Sequence, residues 1–299
     1  MKVLKEWFIN AKWGKIALIS WGNPDGEPVL LVHGRQDSAA TFLPLLELMP
    51  ADCHYVGLDL PGHGMSDAFP IGVAVTRFIN VAALDAVIQH LGWTDFTYIA
   101  HSMGAEIGLF YHAIYPNQIK KFILLDPEPA LQRIMIDNYS TFYSYYNNYY
   151  KKYGEYNSDR VYSKAAALDA VMKARGMNEG QAEVILSRNL KRIGDDLYCL
   201  SWDKRLRLMP PTNYPLDYYY QIFSKNTPPT LSIHAKDTHD FYPAGKENAR
   251  KLFADLEKKW KNFTILRVDG NHDVHFLHPE RISSFVCRFM KKEFARSKL

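Results

Sequence analysis

The chain has 299 residues, of which 47% are hydrophobic and 23% charged, so one large globular domain with an insertion is expected. Its formal net charge of +4 is scattered, which argues against the concentrated basic face of a nucleic-acid-binding protein. No apolar run is long enough to predict a membrane span. The three widely separated cysteines predict free thiols, because their spacing matches neither a disulfide framework nor a zinc site.

Short apolar runs alternate with helical patterns, which predicts βαβ units and a mainly parallel sheet covered by helices. The predicted strands are Lys15–Trp21, Val29–Val32, Tyr55–Leu58, Phe96–Ala100, Phe122–Leu125, Thr230–His234 and Phe263–Val268. The predicted helices are Arg77–Leu91, Met103–Tyr115, Ala244–Lys259 and Pro279–Phe294.

The alternation stops between Asp126 and Pro228, where the pattern is helical and no convincing strand is seen. Residues 137–157 are dense in tyrosine, and residues 163–190 predict two amphipathic helices broken near Gly176–Gly180. We therefore expect a core formed by residues 1–126 and 230–299, with residues 127–229 inserted as a helical cap.

A candidate nucleophile lies at the turn between a predicted strand and a predicted helix. Ala100-His101-Ser102-Met103-Gly104 matches the pattern G-x-S-x-G of a nucleophile elbow, with alanine at the first glycine position. The turn is tight, so the residues two before and two after the serine must be small. Because a serine hydroxyl is a weak nucleophile until a base accepts its proton, Ser102 requires a histidine.

The base is expected after the last strand, since the chain order in such proteins is nucleophile, acid, histidine. His272 directly follows the turn that ends Phe263–Val268 and is the predicted base. His275 is its rival, because it lies in the same loop. The nearby histidines have no accompanying cysteine or carboxylate ligand pattern, so neither a metal nor a cofactor is expected.

Three aspartates are candidates for the acid that orients the histidine. Asp237 follows the strand Thr230–His234 and is the predicted acid. Asp240 lies further along the same loop, and Asp126 ends the preceding core strand. Either could replace Asp237 in this role, Asp240 because it shares the loop and Asp126 because its strand ends close to where the elbow opens.

Two backbone N–H groups should stabilise negative charge on a reacting carbonyl oxygen. One is that of Met103, directly after the nucleophile, and the other is that of Arg35, just past His33-Gly34. The Arg35 side chain is expected to point to solvent, with contact to an acidic substrate group as the alternative.

The sequence ends in Ser297-Lys298-Leu299, a tripeptide that the peroxisomal import receptor recognises. We expect a peroxisomal location and this receptor as a partner; without such import, a cytoplasmic location would follow. The alternative is that these residues are only the basic end of a last helix.

With these motifs in place, the chain resembles the α/β-hydrolase superfamily, and more narrowly the serine hydrolase-like proteins that include the Kraken-type esterases. The resemblance rests on HGRQDSAATFLPLLELMP, GLDLPGHGMSD, IAHSMGA, FILLDPEPA and DGNHDVHFLHPE, and it covers nearly the whole chain. It implies an α/β core with a helical cap, Ser102 as nucleophile and His272 as base. Arg35, where a bulky aromatic residue is common, and Ala100 depart from the family pattern.

The first functional hypothesis is a serine hydrolase that cleaves a carboxylic ester or thioester through an acyl-enzyme at Ser102. The second is a non-catalytic or receptor-like protein that keeps the fold and binds a ligand, because fold does not fix function. A lactone or C–C hydrolase with the same residues is a third.

Overall fold

The main element of the protein is a large sheet, seen in a computed structural model that describes residues 1–73, 75–135, 143, 146–148, 151, 160–208 and 214–294. The described strands are β1 Val3–Ala11, β2 Gly14–Gly22, β3 Pro28–Val32, β4 His54–Leu58, β5 Phe96–His101, β6 Ile119–Leu125, β7 Val161–Tyr162, β8 Leu190–Gly194, β9 Leu197–Leu200, β10 Thr230–Ala235 and β11 Phe263–Val268. The described helices are α1 Leu43–Leu46, α2 Arg77–Leu91, α3 Met103–Ile114, α4 Glu128–Ile134, α5 Lys164–Arg175, α6 Glu179–Asn189, α7 Leu216–Phe223, α8 Lys246–Lys259, α9 Val274–Leu277 and α10 Ser283–Lys291.

Eight strands form this sheet in the order β1-β2-β4-β3-β5-β6-β10-β11. The pairs from β4 to β11 are parallel, whereas β1 and β2 join as antiparallel strands. The predicted α/β fold with a mostly parallel sheet is confirmed. Strand β1 is missing from the sequence prediction; it lies at the sheet edge and is largely exposed, so its apolar pattern is weak.

The continuous apolar runs of the central strands are explained by burial on both faces of the sheet. In β3, Leu30 and Val32 pack into one hydrophobic cluster, and Val29 and Leu31 pack into the cluster on the opposite face. Helices α2, α3 and α8 contribute to the first cluster, whereas α1 and α10 contribute to the second. This arrangement leaves the carboxyl ends of β3, β5, β6, β10 and β11 along one edge of the sheet, where ligands bind in open α/β sheets.

The inserted segment contains strands, which corrects the expectation that it has none. Strands β7, β9 and β8 form a small antiparallel sheet next to α5 and α6. These strands are two to five residues long and partly exposed, so their hydrophobic pattern is too short to be read from sequence. At the ends of the insertion, α4 and α7 pack against core helices α3 and α8.

Two features of the sequence lie outside the described residues. One is most of the tyrosine-rich stretch 137–157, and the other is the terminal Ser297-Lys298-Leu299. The boundaries 127 and 229 of the cap, like the peroxisomal address, stay predictions.

The described residues also bear on membranes and metals. None of the described helices has the length and apolar character needed to cross a membrane. No cluster of three or more His, Cys, Asp or Glu side chains suited to a metal ion occurs within the described ranges. Cys53, Cys199 and Cys287, all among the described residues, form no disulfide bond.

Candidate active site

Ser102 occupies a strained turn between β5 and α3. Its backbone angles, φ 50° and ψ −116°, lie in a region that non-glycine residues rarely adopt. Two residues later a side chain is impossible, because a Cβ at Gly104 would lie 2.3 Å from the carbonyl oxygen of Val32. Ala100 is still within β5, fully buried and paired with Val32 and Leu124. The strand therefore accommodates a methyl group where the usual pattern has glycine.

The Ser102 hydroxyl is paired with His272. Ser102 Oγ lies 3.0 Å from His272 Nε2, which accepts its proton in the tautomer protonated at Nδ1. His272 lies in the loop after β11, and its side chain is 22% exposed, so the pair remains accessible from the cavity described below. His101 Nε2 donates to the backbone carbonyl of His272 at 2.9 Å, which holds this loop against the elbow.

The carboxylate next to His272 is that of Asp126, so the prediction that Asp237 occupies this place is wrong. Asp126 Oδ2 accepts a 2.6 Å hydrogen bond from His272 Nδ1. The same carboxylate accepts from Ala235 N at 2.9 Å and from Thr238 Oγ1 at 2.7 Å. Asp126 is only 2% exposed, and these donors fix its orientation towards the imidazole.

Asp237 and Asp240 have other structural roles. Asp237 links the loops after β10 and β11, since its N–H donates to Gly270 O and its Oδ2 accepts from Gly270 N. Asp240 is bound to Lys246 and to Gln132. Strands β6 and β10 are neighbours in the sheet, so the residues that follow each strand lie near His272. Only the directions of their side chains decide whether Asp126 or Asp237 contacts the imidazole.

His275, the rival candidate for the base, has partners other than Ser102. Its ring is fully buried and packs on His101 at 4.1 Å between ring centroids. His275 Nε2 and Thr41 Oγ1 are hydrogen-bonded at 2.9 Å. Burial lowers the pKa of His275 to about 4, so this imidazole is neutral near pH 7.

The loop that carries Arg35 is held in place by two hydrogen bonds of His33. His33 Nδ1 donates to Gly34 O at 2.6 Å, and His33 Nε2 accepts from Leu60 N at 2.9 Å. Burial lowers the pKa of His33 to about 4, which keeps the ring in the neutral form that these two bonds require. Arg35 and Met103 both line the cavity next to Ser102, as the sequence prediction of two backbone donors needs.

A cavity of about 480 Å³ opens above Ser102 and His272. The core and the insertion both contribute walls. The apolar lining residues include Met103, Pro129, Ala130, Val171, Leu200 and Trp202. Charged lining residues are Arg35, Asp37, Glu106, Arg133, Arg175 and Asp273. A ligand in this cavity would contact an apolar surface and several guanidinium and carboxylate groups.

Arg175, the last residue of α5, connects the insertion to both loops of the site. Its Nη2 donates to Asp37 Oδ2 at 3.0 Å and to Asp273 Oδ1 at 2.6 Å, and its Nε donates to Asp273 Oδ2 at 3.0 Å. Burial would raise the pKa of Asp273, but the charge and hydrogen bonds of Arg175 outweigh it and hold this pKa below its usual value. The carboxylate of Asp273, the residue directly after His272, is therefore paired with Arg175.

Sequence reasoning did not identify Arg175, Glu106 or Arg133 as residues of the site. Glu106 and Arg133 occupy ordinary positions for charged residues in helices, and Arg175 in the last turn of α5 resembles a cation that only offsets the helix dipole. Asp126 did have a signal, because it directly follows a predicted core strand.

This geometry supplies the parts of a nucleophilic site. A hydroxyl, an imidazole that can accept its proton and a carboxylate that orients the imidazole form one hydrogen-bonded chain. Ser102 is also the N-cap residue of α3, whose first N–H groups and dipole favour negative charge at this position.

A sequence model described as the alpha/beta hydrolase fold matches residues 27–279. Among curated proteins, the chain is 26% identical over 299 residues to "Serine hydrolase-like protein" of Danio rerio, a match covering 98% of this chain and 90% of the relative. It is 26% identical over 301 residues to "Serine hydrolase-like protein 2" of Homo sapiens, covering 97% of this chain and 95% of that relative.

Solved structures show the same fold. A hypothetical protein of Pseudomonas aeruginosa PAO1 superposes with a TM-score of 0.79 at 23% identity, covering 96% of this chain and 98% of that one. The thioesterase domain from the curacin biosynthetic pathway has a TM-score of 0.76 at 19% identity, covering 94% of this chain and 98% of the domain. At these identities the likeness concerns the fold alone.

Proposed function

Because the chain belongs to the α/β-hydrolase family, we propose that it is a serine hydrolase that cleaves a carboxylic ester or thioester through an acyl-enzyme at Ser102. The observation that carries this proposal is the hydrogen-bonded chain from Ser102 Oγ through His272 to Asp126, at 3.0 Å and 2.6 Å. A protein that only binds a ligand has no need of a strained serine whose hydroxyl lies within hydrogen-bonding distance of a base.

Acylation begins when Ser102 Oγ attacks the carbonyl carbon and its proton passes to His272 Nε2. The C=O electron pair moves onto the carbonyl oxygen, which the backbone N–H groups of Met103 and Arg35 would stabilise. When this electron pair re-forms the C=O bond, the bond from the carbon to the leaving oxygen or sulfur breaks. That atom takes the proton from His272 and departs as an alcohol or thiol. Asp126 stabilises the protonated imidazole between these two steps.

Deacylation uses the same groups with water as nucleophile. His272 accepts a proton from the water, whose oxygen bonds to the acyl carbon while the C=O electron pair moves onto the carbonyl oxygen. When this pair re-forms the C=O bond, the bond from Ser102 Oγ to that carbon breaks, and Oγ takes the proton from His272. The product is the free acid, and the serine and histidine are restored.

A fluorophosphonate probe tests the proposal without knowledge of the substrate. We expect stoichiometric labelling, with the modified peptide containing Ser102. The matched control is Ser102→Ala, which should keep the same thermal unfolding temperature and lose the label. A folded native protein that is not labelled at Ser102 would contradict the proposal and favour a non-catalytic binding protein.

A further inference from the structure

Phe241 is a large apolar residue that lies on the imidazole of His272 and is still open to solvent. The two rings are 5.6 Å apart between centroids, at an interplanar angle of 59°. This ring contact fixes the direction of the Phe241 side chain, and the residue also lines the cavity above Ser102. Even so, 47% of Phe241 is exposed. Its apolar surface is therefore available to a molecule that enters the cavity.

The loop after β10 that carries Phe241 is anchored on both sides of the cavity wall. Thr238 Oγ1 donates to Asp126 Oδ2 at 2.7 Å, and the carboxylate of Asp240, directly before Phe241, is paired with Lys246 at the start of α8. The loop is thus attached to the same carboxylate that orients the imidazole. These contacts hold the Phe241 ring at a fixed place beside the base.

The chemistry of the proposed reaction decides which part of a substrate approaches this ring. His272 Nε2 must give its proton to the leaving oxygen or sulfur, so that atom lies within hydrogen-bond distance of the imidazole. The substituent on the leaving atom is then close to the rings that pack on His272. One of these, His101, is 4.5 Å away and only 3% exposed. Of the two described rings on His272, Phe241 is therefore the one whose surface a substrate can reach.

We propose that the leaving alcohol or thiol packs its substituent on the Phe241 ring, so that the site selects esters or thioesters whose leaving group is aromatic or bulky and apolar. This contact would remove the apolar surfaces of both groups from water, and an aromatic substituent would gain further from an edge-to-face or offset arrangement. The inference rests on the proposed function and names the leaving-group side of its substrate class. It makes Phe241 a specificity-determining residue for acylation, the step in which the leaving group departs.

Matched esters of one acid test this selection. Benzyl acetate and methyl acetate share their acyl group, and their alcohols are leaving groups of similar basicity, so the two esters differ mainly in the apolar surface of the leaving group. We expect kcat/KM, which reports acylation, to be at least roughly 10-fold higher for the benzyl ester. Equal kcat/KM values, or a preference for the methyl ester, would overturn the inference.

The variant Phe241→Ser assigns the preference to this side chain. The ratio of kcat/KM for benzyl acetate to that for methyl acetate should fall roughly 10-fold, whereas Phe241→Leu should keep part of the preference because leucine is still apolar. The ratio for methyl hexanoate to methyl acetate should not change, since it reports the acyl side. A fall in this second ratio alone would place Phe241 on the acyl side and overturn the inference.

The matched control is Phe8→Ser. Phe8 is a phenylalanine of β1 that is 53% exposed and is not among the residues that line the cavity. Its substitution should leave both ratios as they are in the native protein. A benzyl-to-methyl ratio that falls as much in Phe8→Ser as in Phe241→Ser would contradict a specific contact with Phe241.

A binding measurement separates failure of this inference from failure of the proposed function. In Ser102→Ala, which cannot form an acyl-enzyme, calorimetric titration should give a Kd for benzyl acetate at least roughly 10-fold lower than that for methyl acetate, and adding Phe241→Ser should abolish the difference. Equal Kd values, in a protein whose native form is labelled at Ser102 by the fluorophosphonate, would refute the contact and leave the serine hydrolase proposal intact. A difference that depends on Phe241, in a protein that is not labelled, would support the contact and contradict only the hydrolase proposal.

Discussion

Asp126 is held by donors that come from a different part of the chain, and this decides its orientation. Asp126 directly follows β6, whereas the N–H of Ala235 and the hydroxyl of Thr238 belong to the end of β10 and the loop after it. The end of β10 and the loop after it, which were predicted to supply the acid, therefore supply the groups that position Asp126. Asp237 lies between these two donors but accepts from Gly270 instead.

Substitution of Asp126 should lower kcat much more than substitution of Asp237. Asp126→Asn should lower kcat by roughly 10³-fold to 10⁴-fold, because an amide can neither select the tautomer of His272 nor stabilise its protonated form. Asp237→Asn should lower it less than roughly 10-fold, since Asp237 only links two loops. Steady-state kinetics on any ester that the native enzyme cleaves measures both. A larger loss in Asp237→Asn would return the role to that residue.

At the scale of elements, α5 is tied to the site through its C-terminal residue. Arg175 bridges Asp37, in the loop after β3, and Asp273, next to His272. The helix ends at Arg175 and is capped by Gly176, whose φ of 67° is left-handed, so the side chain of Arg175 extends from the last turn onto the core. One side chain thus joins the insertion to two loops of the core.

We expect Arg175→Met to loosen this connection. Two carboxylates that are 3% and 14% exposed would lose their cation, so the free energy of unfolding should fall by roughly 2–4 kcal/mol. Amide hydrogen exchange in α5 should become faster than in the native protein. Arg192→Met is the matched control, because Arg192 lies on the exposed strand β8 of the same insertion. Equal exchange in the two variants would show that Arg175 does not hold α5 in place.

At the scale of the whole molecule, folding buries histidines as neutral groups. His275 is an example, since burial lowers its pKa to about 4, whereas an unfolded histidine has a pKa of about 6.5. Asp273 and Asp37 raise this pKa, and Arg175 and His272 lower it. Between these two pH values the unfolded chain binds a proton that the folded protein does not, so stability falls as the pH falls from about 6.5 to about 4.

His275→Gln should reduce this pH dependence, because glutamine does not titrate. Over the same pH range, the slope of the free energy of unfolding against pH should decrease by up to ~1.4 kcal/mol per pH unit, the value for one proton. Urea unfolding at several pH values gives the slope independently of the absolute stability of the variant. Identical slopes in the two proteins would mean that His275 is protonated equally in the folded and unfolded states.

The sequence determined the elements whose patterns are local. The central strands are continuous apolar runs because both of their faces are buried, and helix α2 was predicted with the bounds Arg77–Leu91 that the structure has. The elbow was recognisable because the tight turn around Ser102 restricts the residues at fixed positions beside it. His272 could be named as the partner of Ser102 from chain order and the end of a strand.

Tertiary structure alone decided which side chains meet. Asp126 and Asp237 both follow strands of the same sheet, and their local sequences do not reveal which carboxylate turns towards His272. The cavity next to Ser102 is lined by residues that are far apart in the chain, so no spacing signals it. The strands of the insertion are short, and their pairing depends on partners beyond the local pattern. Local periodicity reports which face of an element is buried, whereas a site depends on directions that only the packed chain fixes.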